Sequence, residues 1–408
     1  MPIVILFIII ISTLFGPKIS YIDLSAVAGA VGVALLLVTS KENVKLDKTL
    51  VATVVLFIAY FVYILGLQLS VGIESSELLL RTSRALAILL IFMLASRVMI
   101  RHGRMIMPLV MLCISIHALF VIAASFSFEL NSLLGQIFDN DRVRPLRSSG
   151  LVAGFDVAGF FCLVGLLALG LDVVKVRSIG VKLLWGGLLL VACYFTSRVS
   201  MVLGVLFFTI LVWRLVFSGS RMSRTRRMSA LVITFPAIAL VAHEVLVVLE
   251  VAFDLGLIGV DSDRREAVIA RFASTTIEEA GLVSMYFLPS NSLEIIMGSG
   301  MDVPTSDVGY VKFVFWHGLI GIVLLLAIHL YLLGKSMSCI RQDAKARSHG
   351  LFILGVYTLV FVLTFKNNYL LTRGIWSLLL LLYLHASWLA STTVGPSRKY
   401  VQSRTASP

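Results

Sequence analysis

The sequence is poor in charge: only 14% of its 408 residues are Asp, Glu, Lys or Arg, whereas 59% are hydrophobic. A water-soluble domain of this length needs more polar surface to cover its core. The composition therefore excludes a single soluble domain and indicates a protein whose solvent is largely lipid.

Cysteines and cofactor signatures are also scarce. The four cysteines are Cys113, Cys162, Cys193 and Cys339, and their spacing indicates neither a disulfide framework nor a zinc site. The chain has no Walker A loop, no dinucleotide fingerprint and no His-Glu-x-x-His helix. We expect the four cysteines to pack within helices, and we expect chemistry that uses neither a resident metal nor a cofactor.

Long apolar runs predict an all-α, polytopic integral membrane protein with about twelve transmembrane helices. A helix of about 20 residues crosses the ~30 Å hydrocarbon layer. The predicted spans are 3–16, 22–40, 50–70, 80–97, 104–127, 151–174, 181–195, 199–217, 229–250, 311–334, 350–366 and 374–392. Together they predict one membrane domain over 1–408.

The distribution of basic residues predicts the orientation. If the N-terminus is cytoplasmic, most of the 34 Lys and Arg residues fall in short cytoplasmic segments, as the positive-inside rule requires. The predicted extramembrane segments are an outer loop at 128–150, a large outer subdomain at 251–310 and a basic cytoplasmic tail at 393–408. The net charge of +12 is then explained by topology and anionic lipid, without nucleic-acid binding.

Several arginines depart from this charge rule on the predicted outer side. Arg142, Arg144 and Arg147 crowd the end of the 128–150 loop, and Arg198 lies in a tight turn between two spans. A guanidinium near hydrocarbon is costly to desolvate without an anion, and phosphate suits its planar fork of donors. We therefore expect Arg147 and Arg198 to bind an anionic group.

Three further outer arginines have a simpler interpretation. Arg81, Arg84 and Arg373 are isolated in the sequence beside predicted spans. Interfacial arginines commonly reach lipid phosphates or pair with a nearby acid. We interpret these three in that way.

Four motifs follow one another between about 140 and 335. They are Arg147-Ser-Ser-Gly150 with Asp156 and Gly159; Thr196-Ser197-Arg198; Asp261-Ser-Asp-Arg264-Arg265; and Gly298-Ser-Gly300 with Ser306-Asp307-Val-Gly309-Tyr310 and Gly318-Leu-Ile-Gly321. Their order, spacing and predicted sidedness resemble the O-antigen polymerase (Wzy-type) and O-antigen ligase superfamily of polysaccharide-assembling membrane proteins.

One departure from that family's pattern separates its branches. The ligases carry a histidine eleven residues before the first glycine of the Gly-x-x-Gly pair, and Asp307 occupies that position here. Polymerase-type members often have Ser-Asp in this place. The resemblance therefore favours a polymerase over a ligase, which stays an alternative.

The resemblance implies a metal-independent glycosyltransferase of the bacterial inner membrane, acting at its periplasmic face. It would transfer a growing glycan from undecaprenyl pyrophosphate onto a new lipid-linked repeat unit. Arg147, Arg198 and Arg264 are the candidates for stabilising the leaving pyrophosphate, and Asp307 for activating the acceptor hydroxyl. Further substrate-binding candidates are Arg144, Arg265, Asp156, Tyr310 and Lys312. Expected partners are membrane lipids, a chain-length regulator and other polysaccharide assembly proteins.

A transporter, such as a lipid-linked oligosaccharide flippase, is the alternative from another class. It would share the number of spans and the internal arginines. Transporters commonly carry charged residues at the midplane and half-to-half symmetry, whereas this sequence has no internal repeat and has a large loop between its ninth and tenth predicted spans.

Overall fold

The structure, a computed structural model, describes most of the chain. The described residues are 2–19, 22–40, 46–71, 77–138, 147–176, 178–217, 287–300, 308–340, 346–364 and 369–393. The predicted span at 229–250, most of the 251–310 loop and the tail beyond 393 lie outside these ranges. They stay predictions.

The described chain is almost entirely helical. Its helices are α1 (Pro2–Phe15), α2 (Leu24–Ser40), α3 (Lys48–Val71), α4 (Glu77–Arg101), α5 (Ile106–Phe126), α6 (Phe128–Phe138), α7 (Phe155–Gly170), α8 (Ile179–Thr196), α9 (Arg198–Phe217), α10 (Ser292–Met297), α11 (Gly309–Ile340), α12 (Arg347–Leu363) and α13 (Ile375–Thr393). A 3₁₀ turn, Gly103–Met105, precedes α5, and two short strands, β1 (Lys18–Ile19) and β2 (Ile22–Asp23), pair antiparallel before α2. The all-α prediction is confirmed.

The helices are those of a membrane protein. Six of them, α3, α4, α5, α8, α11 and α13, are long and apolar enough to cross a membrane, and α1, α2, α7, α9 and α12 are apolar but shorter. Hydrocarbon offers the backbone no hydrogen-bond partners, so a spanning segment must satisfy its own polar groups as a helix. The eleven apolar helices coincide with eleven of the predicted spans. The total of twelve spans and their orientation stay predictions.

The last helix, α13, is at the centre of the bundle. In the most apolar stretch of α13, 67% of the residues are buried, whereas the corresponding share is 33% to 56% in the other five long helices. Residues 378–384 are all buried, and the Trp376 indole N–H donates to the Ala85 carbonyl of α4 at 3.0 Å. A helix that is apolar all round and buried all round is a core helix.

At one end of the bundle lie Arg81 and Arg84, in the first turns of α4, and Arg373, ahead of α13; we call it the arginine end. There Arg84 pairs with Asp23, the residue before α2. At the same end the Gln68 amide, near the end of α3, donates to the Gly300 carbonyl at 2.9 Å.

The opposite end has its own polar ties. The Tyr383 hydroxyl of α13 donates to Asp47 ahead of α3 at 2.7 Å, and Lys182 of α8 pairs with Asp172 beyond α7 at 2.5 Å. Asp47 and Lys182 are in or beside segments that the orientation predicts to be cytoplasmic. Each end of the bundle thus has its own ion pair, Arg84 with Asp23 at one and Lys182 with Asp172 at the other.

Part of the predicted 128–150 loop is helical. The helix α6 covers its first half, with Leu134 and Phe138 buried and Phe128 and Leu133 exposed. This apolar residue pattern suits a helix lying against the bundle, and the loop prediction missed it because the run is too short to read as a span.

Candidate functional site

Two of the sequence motifs pack directly against each other at the arginine end. The Ser148 N–H donates to the Phe195 carbonyl at 3.1 Å, which fastens the segment after Arg147 to the end of α8. On α7, a Cβ at Gly159 would overlap the Ser200 hydroxyl and would lie 2.8 Å from the Thr196 hydroxyl. Glycine at 159 thus allows α7 to approach the turn that leads into α9.

The structure also explains why glycine occupies position 150 in the Arg-x-x-Gly motif. Its φ of +56° is in the left-handed region, and a Cβ there would lie 2.9 Å from the His117 ring. The next residue, Leu151, donates its N–H to His117 Nδ1 at 3.2 Å. The buried His117 ring also stacks on Phe15 of α1 at 4.9 Å, so it packs between α1 and this segment.

Arg147 is half-buried and held through its backbone. Its carbonyl accepts a hydrogen bond from the Asn131 amide of α6 at 2.7 Å. Its guanidinium carbon lies 5.9 Å from the Phe155 ring centroid at the start of α7, a cation–π distance. Arg198 begins α9, one residue beyond the turn to which this segment is tied, and its side chain lies outside what the structure describes.

The other described motifs also form a pair. The helix α11 is kinked at Gly318, where φ is +56° and ψ is −179°. The turn after α10 docks on this kink: the N–H groups of Ser299 and Gly300 donate to the Phe315 carbonyl at 2.7 and 3.2 Å. A Cβ at Gly318 would overlap the backbone of the docked turn at Gly298. A broken helix is tolerated in a membrane when other groups satisfy the freed carbonyls, as they do here.

The α3 helix clamps this junction. The Tyr63 hydroxyl lies 2.6 Å from the Met297 carbonyl and 2.9 Å from the His317 carbonyl, so it bridges the docked turn and the kink. A Cβ at Gly321 would lie 2.9 Å from the Tyr63 ring. Gly318 thus permits the close approach of two backbones, and Gly321 leaves room for the Tyr63 ring.

A pocket lined by arginines adjoins the first motif pair. It has a volume of about 250 Å³. Its lining residues are Leu14, Phe15, Gly16, Glu77, Leu80, Arg81, Arg84, Leu151, Val152, Ala153, Val157, Leu371, Thr372 and Arg373. Residues 151–153 belong to the first motif pair, and the Arg81 guanidinium lies 5.0 Å from the ring centroid of Trp316, next to the kink of the second. We call it the arginine pocket.

Two of its arginines have acidic partners. Arg81 donates to Glu77 through Nε at 3.1 Å and Nη2 at 2.5 Å, one helical turn apart on α4. Arg84 pairs with Asp23, and both side chains are largely buried, at 17% and 10% exposure. The acid-pairing interpretation therefore holds for these two residues. Arg373 lines the same pocket, from the segment before α13.

Among the residues predicted for the site, some are placed and others are not. Asp307, Arg264, Arg144 and Arg265 lie outside the described residues, as does Arg142. Their roles stay predictions.

The remaining predicted residues are near the starts of α7 and α11. Asp156 is half-buried in the first turn of α7 and interacts electrostatically with Tyr369. The Tyr310 hydroxyl donates to the Phe361 carbonyl at 2.6 Å, so this side chain fastens α11 to α12. Lys312 is half-buried on the first turn of α11. None of these three lines the arginine pocket.

The sequence interpretation missed the convergence of Arg81, Arg84 and Arg373. All three were assigned to the same side of the membrane, and Arg81 and Arg84 are three residues apart, on one face of a helix. Arg373 comes from the other end of the chain. Their meeting depends on α4 packing against α13, which no local pattern reports.

The described ranges contain neither a metal-binding cluster nor a disulfide. There, no three His, Cys, Asp or Glu side chains come together as a metal site. All four cysteines are free; Cys113, Cys162 and Cys193 are buried and Cys339 is partly exposed.

No family model matches the chain, and no curated protein matches it significantly. The resemblance to the O-antigen polymerase and ligase superfamily thus rests on the motifs and stays a prediction.

Proposed function

We propose that the protein is a membrane glycosyltransferase that polymerises glycan repeat units carried on undecaprenyl pyrophosphate. One observation carries the proposal: two of the motifs that resemble this family, within 147–159 and 196–200, pack together at one end of the bundle. Segments distant in sequence that share a tightly packed, glycine-dependent junction form one structural unit. Arg147 and the start of α9 both belong to it.

The reaction has two requirements. The bond between the anomeric carbon of the donor glycan and the pyrophosphate oxygen breaks, and the pyrophosphate leaves with the electron pair. The acceptor hydroxyl oxygen bonds to that carbon and releases its proton to a base. Guanidinium groups held near the membrane surface stabilise the leaving negative charge, and a carboxylate suits the proton transfer.

We assign these tasks to Arg147, Arg198 and Arg264 for the leaving group and to Asp307 for the proton. Asp307 directly precedes Val308, the buried residue at which the described α11 segment begins. On this proposal the arginine end is the periplasmic side of a bacterial inner membrane, consistent with the basic residues of the opposite end.

A transporter is the second candidate, and the kink at Gly318 favours it. Transporters commonly use interrupted helices to form substrate sites. A purified protein in detergent separates the two functions, since micelles have no second side to which a substrate could be moved. Conversion of a lipid-linked repeat unit into longer products supports the polymerase. Absence of product from a folded preparation that does bind the substrate supports the transporter.

The sites are tested in the same assay and in the host. Deleting the gene should abolish polymer and cause single repeat units to accumulate on the lipid carrier. Arg147→Ala and Arg198→Ala should each lower polymer formation by ~10²-fold or more, the usual effect of removing a donor that stabilises transition-state charge. Arg104→Ala is the matched control, since Arg104 is exposed at the opposite end. Normal chain lengths in both site variants contradict the assignment.

A further inference from the structure

We propose that α6 is an interfacial helix, whose exposed apolar stripe is seated among lipid acyl chains at the membrane surface. The partner of this stripe is thus the lipid itself, and neither a protein nor a soluble ligand. The contact is independent of the reaction proposed above, and it concerns a segment that the sequence predicted as loop.

The helix α6 divides into three stripes, each at the spacing of one helix face. Residues three and four apart lie above one another on a helix. The buried, the apolar and the polar stripe are, in that order, Asn131, Leu134 and Phe138; Leu130, Leu133 and Ile137; and Glu129, Ser132 and Gln136. Since each residue turns a helix by about 100°, the apolar stripe lies between the buried one and the polar one.

The apolar stripe is exposed although its side chains are aliphatic. Leu133 is 52% exposed and Ile137 is 40% exposed. The side of α6 that faces the protein is formed by other residues, Leu134 and Phe138, which pack with Ala124 of α5. An exposed apolar stripe beside a polar one, on a helix that also packs against a membrane protein, is typical of a helix that lies in the membrane interface.

The apolar stripe continues a surface that faces lipid. The helix α5 is long and apolar enough to cross a membrane, and Leu119 and Phe126 are exposed along its second half. The helix α6 begins only two residues after Phe126, at Phe128, which is exposed as well. The lipid-facing surface of α5 therefore runs on into α6, and this continuity favours lipid as the occupant over a second protein.

Length and contacts exclude a spanning α6. Its 11 residues form a helix of about 16 Å, roughly half of the ~30 Å hydrocarbon layer. The helix contacts α5 and β1, the strand that follows α1, and its Asn131 amide donates to the Arg147 carbonyl at 2.7 Å. It therefore lies across the arginine end of the bundle and connects the lipid surface to the first motif pair.

The charge of α6 indicates an apolar contact. The helix contains one acidic residue, Glu129, and no basic residue. Anionic lipid heads attract basic segments, so they offer no attraction to this helix. We therefore expect the same contact in neutral and in anionic membranes, and at low and at high salt.

Spin labels on single cysteines test which surroundings each stripe has. Cys339→Ser removes the partly exposed cysteine, and the other three cysteines are buried. On that background, Leu133→Cys and Ile137→Cys place a nitroxide on the apolar stripe, and Ser132→Cys and Gln136→Cys place it on the polar stripe. The labelled full-length protein is studied in phosphatidylcholine nanodiscs. Collisions of the nitroxide with oxygen, which concentrates in hydrocarbon, are compared with collisions with a nickel chelate, which stays in water.

We expect the ratio of oxygen to nickel collisions to be severalfold higher at Leu133 and Ile137 than at Ser132 and Gln136. Leu119→Cys on α5 provides the lipid-facing reference, and its ratio should resemble that of the apolar stripe. The ratio on the apolar stripe should not change when phosphatidylglycerol is added to the nanodiscs or when the salt concentration is raised.

Three outcomes would overturn the proposal. Nickel collisions as frequent at Leu133 and Ile137 as at Gln136 would place the apolar stripe in water. Few collisions with either reagent would mean that protein covers the stripe, either a second copy or another segment of this chain. A contact that requires anionic lipid would contradict its apolar origin. None of these measurements uses the polymerisation reaction, so the two proposals can fail separately.

Discussion

Replacement of Gly318 by alanine tests whether the kink in α11 depends on the missing side chain. Gly318 has φ +56° and ψ −179°, a conformation open almost only to glycine, and a non-glycine residue held there costs about 1–3 kcal/mol. A Cβ would also overlap the backbone of Gly298, and such overpacking costs about 1–3 kcal/mol more. We expect a loss of about 2–4 kcal/mol in the free energy of unfolding, partly relieved where the docked turn moves away.

The matched control is Gly334→Ala in the same helix. A Cβ at Gly334 meets no atom within 4 Å, so alanine there should be neutral or stabilise the helix by about 0.5–1 kcal/mol. Unfolding of both variants in mixed micelles, titrated with SDS, measures the difference. Susceptibility of the 287–300 segment to protease provides a second readout, and it should rise only in Gly318→Ala. Equal stability of the two variants would refute the argument that the kink and the docked turn require glycine.

Other predictions concern the packing around the site. Gly159→Ala should destabilise the protein by about 1–3 kcal/mol, because the new Cβ would overlap Ser200. Gly170→Ala on the same helix should leave the stability unchanged, because a Cβ there meets no atom within 4 Å. Titration with SDS compares the two variants, and equal unfolding curves would contradict the close approach of α7. Tyr310→Phe removes the hydrogen bond to Phe361 and should cost about 0.5–1.5 kcal/mol. If the polymerisation assay shows a loss of activity much larger than that of stability, Tyr310 acts on substrate and not only as a fastener.

The sequence predicted the helices well. Apolar runs lead to helices in a membrane protein because hydrocarbon leaves the backbone no other way to satisfy its polar groups. The predicted runs at 151–174 and 374–392 therefore correspond to α7 and α13, with ends that differ by a few residues. The segment 128–138 was predicted as loop, because a surface helix of that length has no spanning run to reveal it.

The candidate site was only partly predictable. The glycines at 150, 159, 318 and 321 were identified as motif positions from the sequence. Glycine is required there by tertiary neighbours, which are, in the same order, a histidine ring, a serine hydroxyl, a docked turn and a tyrosine ring. No local pattern contains the partner that each glycine approaches. The arginine pocket was not predicted at all, since its members come from both ends of the chain.

The sequence by itself determined that this protein is a bundle of membrane helices, through the length and apolarity of its runs. Only the tertiary structure decided that α13 lies at the centre and that Arg373 meets Arg81 and Arg84. The physical reason is that lipid tails are as apolar as leucine. Hydrophobicity therefore marks the residues that avoid water, whereas packing and polar contacts select the neighbour of each helix.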